Sequence, residues 1–184
     1  MIERPLVPPP SAVAENELLE GNECIVIVDD FPDLVGLIQE FLDNHGLPTV
    51  TANSADALRR QLVEQEVALV LLDIGLPDAD GSSLLPELKQ NQPDLAVIML
   101  TAVTDVHTAL ACLRLGADDY LVKPVQFTDL LATLHRVLEK RRLTIRNRQY
   151  QRQIEQANFR IQLAHELAMK MNTAYLSTTE LDEV

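Results

Sequence analysis

Asp29-Asp30 follows the run CIVIV at 24–28, and Asp73 follows VALVLL at 67–72. Thr101 closes LAVIMLT at 95–101, and Lys123 follows DYLV at 119–122. Three carboxylates, a hydroxyl and an ammonium thus each stand where a short apolar run ends. Taken singly, each has a plain explanation, since Asp is a common turn residue wherever a buried strand meets water. Taken together they can do chemistry. Adjacent carboxylates repel, and one takes up a proton unless a cation holds them. A small set of charged oxygen ligands suits Mg²⁺, which keeps several waters. With the cation bound, one carboxylate can act as a nucleophile toward phosphorus. The metal and the ammonium then offset charge on the oxygens of the transferred group, and the hydroxyl donates to them.

Such a cluster exists only if the elements bring the five residues to one place. CIVIV is short and β-branched and reads as a buried strand. Pro32 suits the first turn of a helix, and Leu34, Leu37, Ile38, Phe41 and Leu42 continue at helical spacing to Gly46. LPTVT (47–51) is a strand, and Ser54 caps a helix carrying Ala57, Leu58 and Leu62. VALVLL is the third strand. A helix with Leu84, Leu85 and Leu88 follows and breaks at Asn91 to Pro93. LAVIMLT is the fourth strand, and Thr104 caps a helix that ends at Gly116. DYLV is the fifth, and Pro124 precedes a last helix from near Gln126. Strands alternating with helices predict a parallel sheet covered on both faces. The continuous apolar strands agree, because they are buried on both sides. In open sheets of this class ligands bind beyond the carboxyl ends of the strands, where all five polar residues stand. Asp78 and Asp80 read as turn chemistry before a helix, and Asp118 and Asp119 are expected in a loop on the surface.

Asp29-Asp30, the stretch DIGLPDADG at 73–81, Thr101-Ala102, Tyr120 and Lys123-Pro124 together resemble the receiver domain of two-component response regulators. The likeness spans about residues 22–141, with the residues in family order. It implies a flavodoxin-like α/β fold, a five-stranded parallel doubly wound sheet of order 2-1-3-4-5. It implies that Asp73 accepts a phosphoryl group from a phosphohistidine on a sensor histidine kinase or phosphotransfer protein, with Mg²⁺ required. Asp30, Asp73 and the backbone carbonyl of Gly75 would hold the metal directly, and Asp29 mostly through water. Lys123 and Thr101 would meet the phosphoryl group, and Tyr120 would swing inward as Thr101 moves. The Lys123-Pro124 bond is expected to be cis. One departure concerns Gly75. This position, like Val103, governs access of the hydrolytic water in the family, and here it has no side chain. The chain is expected to catalyse only its own phosphotransfer and not to be a turnover enzyme. A phosphatase of the haloacid-dehalogenase kind would need a second Asp at 75. No Gly-rich loop follows strand one, which argues against nucleotide binding.

The 184-residue chain is acidic, with a formal charge of −13. That argues against direct DNA binding. No segment offers the apolar length of a membrane span. Two well-separated cysteines, Cys24 and Cys112, read as buried free thiols of a cytoplasmic, bacterial protein. Residues 1–22, with three consecutive prolines, read as a mobile tail ahead of a receiver at 23–141.

From Val125 onward there is no Pro or Gly. Leu143, Asn147, Tyr150, Ile154, Ala157, Ile161, Ala164, Ala168, Met171 and Tyr175 step by four and three. Ile and one Asn at the a positions predict a parallel two-stranded coiled coil over 143–175, within a segment 142–176 that continues the last receiver helix. The competing reading is a single amphipathic helix folded back on its own receiver. Phe159, Leu163 and Leu167 lie off the seam. Residues 177–184 resemble the lead-in to a GAF-type or other signalling output domain, which predicts the N-terminal piece of a longer regulator. His165 in FRIQLAHELAMKM resembles the phospho-acceptor box of histidine kinases but lacks the Arg-Thr-Pro that should follow, so it reads as a solvated helix residue. A phosphate-independent docking or dimerisation module, or a receiver fused to a degenerate histidine-kinase helix, are the alternative functions.

Overall fold

The structure is a computed structural model. It describes residues 18–102 and 106–179, and their side chains except Val106 and 171–179. Residues 1–17 of the expected tail, Val103, the expected cap Thr104, the seam side chains of Met171 and Tyr175, and 180–184 lie outside the described residues. The elements run β1 (Cys24–Val28), α1 (Pro32–Asn44), β2 (Thr49–Ala52), α2 (Ala55–Glu64) and β3 (Val67–Asp73). They continue as α3 (Gly81–Asn91), β4 (Ala96–Thr101), α4 (Val106–Arg114), β5 (Asp119–Val122) and α5 (Phe127–Thr179). By contacts the chain divides after Arg142 into two compact units.

In the first unit the five strands pair in parallel in the order β2-β1-β3-β4-β5. Val26 sits between Val50 and Val70, and Val70 in turn pairs with Val97. The strands are apolar throughout because each face needs cover. Ile25, Ile27, Leu69, Leu71, Ile98 and Leu100 point to one side, where Ile38 and Leu42 of α1 and Leu130, Leu134 and Leu138 of α5 bury them. Val26, Val28, Val70, Leu72, Val97 and Met99 point to the other, against Leu58 of α2, Leu84 and Leu85 of α3 and Cys112 of α4. Period-two alternation along each strand therefore sorts the helices two to one face and three to the other. Burying each such side chain stabilises the fold by about 1.5–3 kcal/mol.

Local signals set the element ends. Ser54 Oγ accepts the Ala57 N–H at the start of α2, and the Asp80 carboxylate accepts the Ser82 N–H at the start of α3. Gly46 and Gly116, both with positive φ, close α1 and α4. Both cysteines are free and buried.

Two expectations are corrected. The tail was expected to reach residue 22, but Leu18 is buried in the α1–α5 core with Leu19 packed beside it. The domain therefore begins by residue 18. Asp118 was expected at the surface. Its carboxylate instead pairs with Lys89 Nζ at 2.6 Å and accepts the Val97 N–H at 3.0 Å. The side chain of Asp119, at the head of β5, turns back to pair with Arg136.

In the second unit α5 runs on as an uninterrupted helix. Tyr150, Ile154 and Ile161 of the heptad seam are exposed, and so are Phe159, Leu163 and Leu167 beside it. No helix among the described residues is long and apolar enough to cross a membrane.

Candidate functional site

Each polar residue singled out in the sequence is delivered by the end of its strand. Val28, the last residue of β1, sends Asp29 out of the sheet, where the Asp29 N–H bonds the Ala52 carbonyl at 3.1 Å. Asp73 is the last residue of β3, and the Ile74 N–H still reaches Leu100 O at 3.2 Å. Thr101 closes β4. The Lys123 N–H bonds Thr101 O at 2.7 Å, which carries the β4–β5 pairing one residue further and brings Lys123 to the rim. The Lys123–Pro124 peptide is cis.

The side chains converge. Carboxylate oxygens of Asp29, Asp30 and Asp73 all lie within 4.8 Å of one another. Asp29, Asp73 and Thr101 are buried, while Asp30 is exposed. Lys123 Nζ stands 2.6 Å from Asp29 Oδ2 and 2.9 Å from Asp73 Oδ1. The other oxygen of Asp29 accepts the Phe31 N–H at 2.9 Å. Burial alone would push the Lys123 pKa down. Its hydrogen bonds to Asp29 and Asp73, and their charges, outweigh that and hold it above the ordinary 10.5. The ammonium is therefore fixed in its charged form. Three carboxylates face one ammonium, so the cluster carries excess negative charge. Its donors are all hard oxygens, and that set fits Mg²⁺ better than a soft-ligand metal. The backbone of Gly75 is close by, since a Cβ built there would lie 3.7 Å from Asp73 Oδ2.

The family model for the response regulator receiver domain matches residues 25–135. The chain belongs to this family. The transcriptional regulatory protein ZraR of Escherichia coli (strain K12) is 38% identical over 121 residues, 66% of this chain and 27% of that protein. The nitrogen assimilation regulatory protein NtrX of Azorhizobium caulinodans is 35% identical over 121 residues, 65% of this chain and 27% of that protein. The chain thus spans about a quarter of the length of these relatives. Among solved structures, the receiver domain of NtrX from Brucella abortus is similar with a TM-score of 0.60 at 35% identity, over 62% of this chain and 98% of that one. A CheY-like receiver domain protein from Methanospirillum hungatei JF-1 gives 0.63 at 28% identity, over 67% of this chain and 99% of that one. Membership in this family implies an interaction with a kinase or another phosphodonor.

Around the receiver's acidic cluster are contacts that the sequence did not show. Gly81 has no room for a side chain, because a Cβ would fall 2.0 Å from the Asp73 carbonyl oxygen. The Gly81 N–H bonds Ile74 O at 2.8 Å, and Gly75 and Asp80 form an antiparallel bridge, so the 74–81 loop closes on itself beneath Asp73. Asp78 does more than turn the chain. Its carboxylate accepts the N–H groups of Ala55 and Asp56 at 2.9 and 3.1 Å and so caps α2 from 23 residues away. The bond from Ala55 chiefly holds its pKa below the usual carboxylate value. Phe31, directly after the acidic pair, is 65% exposed at the rim. In the sequence this loop was marked by DIGLPDADG, with Asp78 and Asp80 read only as turn chemistry. Tyr120 is 36% exposed.

Proposed function

We propose that this chain is a phosphorylation-controlled switch: Asp73 accepts a phosphoryl group from a phosphohistidine on a sensor kinase or phosphotransfer protein in the cytoplasm. The observation that carries this reading is the convergence of Asp29, Asp30 and Asp73 on one point, with Lys123 Nζ between two of them. Asp30, Asp73 and the Gly75 carbonyl would hold Mg²⁺, with Asp29 acting through water. A bound Mg²⁺ supplies positive charge against the phosphoryl oxygens. The remaining work falls to the chain. Asp73 Oδ is the nucleophile, and its backbone is fixed by the strand and by the closed loop under it. Lys123 exchanges its partner at Asp73 for the incoming phosphoryl oxygen, while its bond to Asp29 keeps it in place and charged. Thr101 donates its hydroxyl to another of those oxygens, and Tyr120 turns toward the space that Thr101 leaves. The chain takes up phosphate on itself and turns over no external substrate. Its acidity argues against its own contact with DNA.

The exposed seam from Leu143 supports the second half of the reading. Ile154 and Ile161 at a positions, with Asn147 above them, favour a parallel homodimer over 143–175. That coil would carry the switch to an output domain. Acetyl phosphate with Mg²⁺ is expected to add one phosphoryl mass to the wild type and none to Asp73→Asn, as read by intact mass. Equal labelling of both proteins would overturn the reading. Sedimentation with and without beryllofluoride tests the dimer.

A further inference from the structure

Phe159, Leu163 and Leu167 stand outside the heptad seam, and the phosphorylation switch does not use them. They recur every four residues on the helix of the second unit. Each step of four turns about 40° round the helix, so the three form one apolar stripe. They are 65%, 48% and 54% exposed. Over the same turns the seam is thin, with Ala157, Ala164 and Ala168 beside a single large residue, Ile161. The bulk of this stretch thus lies roughly a third of a turn away from the seam. Two helices joined at the seam would leave a stripe open on each. A row of large side chains at four-residue spacing is a ridge of the kind that packs against another helix.

The charges along the stripe select both its occupant and its direction. Arg152 and Lys170 lie in line with the stripe, one beyond each end. A parallel pairing of two stripes would set each of them against its own counterpart. Turning one helix round about Leu163 avoids this. Phe159 of each copy then meets Leu167 of the other. Lys170 comes level with Glu155 of the other copy, on the same flank of the stripe and within one residue's rise of about 1.5 Å. The stripe is therefore complementary to itself in the antiparallel sense, as the contact of a twofold pair must be.

We infer that the second unit docks on a second copy of this chain through Phe159, Leu163 and Leu167, antiparallel and centred on Leu163. This contact goes beyond the parallel seam dimer and uses a different face. Three large side chains on each helix cover less than the roughly 800 Å² per partner of a standard interface, so the contact is weak and depends on concentration. It adds one level of association to whatever the seam provides. Dimers become larger species where the seam is paired, and monomers become dimers where it is not.

Sedimentation equilibrium of the full chain over a range of concentrations tests this. The average mass of the wild type is expected to rise past that of Leu163→Gln, whose association constant for this step should be at least about tenfold lower. The position is exposed, and equal helix content by circular dichroism reports that the variant is folded. Ile154→Gln, in the seam, should remove the other level of association, so failure of the seam and failure of the stripe read separately. Glu155→Lys and Lys170→Glu should each weaken the association about three- to tenfold at low salt, and the two together should restore most of it. That rescue must act between copies, because the two positions lie about 22 Å apart along one helix. Equal masses for the wild type and Leu163→Gln at every concentration overturn the inference and leave the stripe to a helix of another protein. A loss in Leu163→Gln without rescue by the double reversal overturns the antiparallel register.

Discussion

The two ends of the sheet both carry charges, and they use them differently. At the amino end two cations each hold a carboxylate of their own. Lys89 pairs with Asp118 and also donates to Leu95 O, and Arg141 grips Glu23 through both guanidinium NH groups while its Nε donates to Asp94 O. Partners and carbonyls there use up each cation. At the carboxyl end three carboxylates share Lys123. The matched end ties α3 and α5 to the strands; the unmatched end retains a charge that a cation and then a phosphoryl group can answer. Removing one partner from a matched pair strands a partly buried charge. Removing a charge from the unmatched end relieves repulsion. Stability and chemistry should thus respond to opposite ends of the same sheet.

Lys89→Met has the largest expected effect on stability. The stem still packs, but Asp118 loses its cation with only about a quarter of its side chain exposed. The cost should be roughly 2–3 kcal/mol, or a fall in Tm of the order of 10 °C for a unit of this size. Phosphoryl labelling measured below the new Tm should match the wild type. Lost labelling in the folded variant would break the division of labour between the ends. Asp30→Asn is the reciprocal substitution and has a smaller effect. Asp30 is exposed beside two like charges, so its neutralisation should leave Tm unchanged or raise stability by about 0.5–1 kcal/mol. The dependence of acetyl phosphate labelling on Mg²⁺ should shift to at least about tenfold higher metal concentration. A clear fall in Tm with normal metal dependence would mean that Asp30 belongs to the scaffold.

The carboxyl end was far more legible in the sequence than the amino end. Asp29, Asp30, Asp73, Thr101 and Lys123 each follow an apolar run, and strand ends in a parallel sheet lie on one rim by topology alone. Nothing comparable marks Lys89 and Asp118, or Glu23 and Arg141. Their partners come from different helices and loops, and helical spacing reports which face is buried, not which charge meets which across the sheet. Asp118 was misread for that reason: two adjacent aspartates at the start of a short strand look solvated until Lys89 and the Val97 N–H are placed beside one of them. Leu18 was missed because the polar and proline-rich residues before it outweigh a single Leu-Leu pair. Gly81 was visible only as a turn residue, whereas its need to be glycine comes from the Asp73 carbonyl, eight residues earlier in sequence.

Asp78 sharpens the comparison at the smallest scale, because it lies beside the unmatched end and yet behaves like the matched one. Its carboxylate serves two backbone N–H groups at the start of α2, where the helix dipole also favours negative charge. Those bonds hold its folded pKa below the ordinary 3.8. A depressed carboxylate pKa stabilises the fold fully above the unfolded value, and the contribution is lost as pH falls through the folded value. Asp78→Asn keeps one oxygen to accept a bond but removes the charge. It should therefore lower Tm at neutral pH by less than Lys89→Met does, and the gap between wild type and variant should narrow as pH drops below about 4. A gap that stays constant down the acid limb would assign the effect to packing of the loop and not to the carboxylate. If Asp78→Asn also weakened the Mg²⁺ dependence of labelling, the cap on α2 would be helping to hold Gly75 in place. The two ends of the sheet would then differ in their charge balance but not in how firmly their loops must be tied.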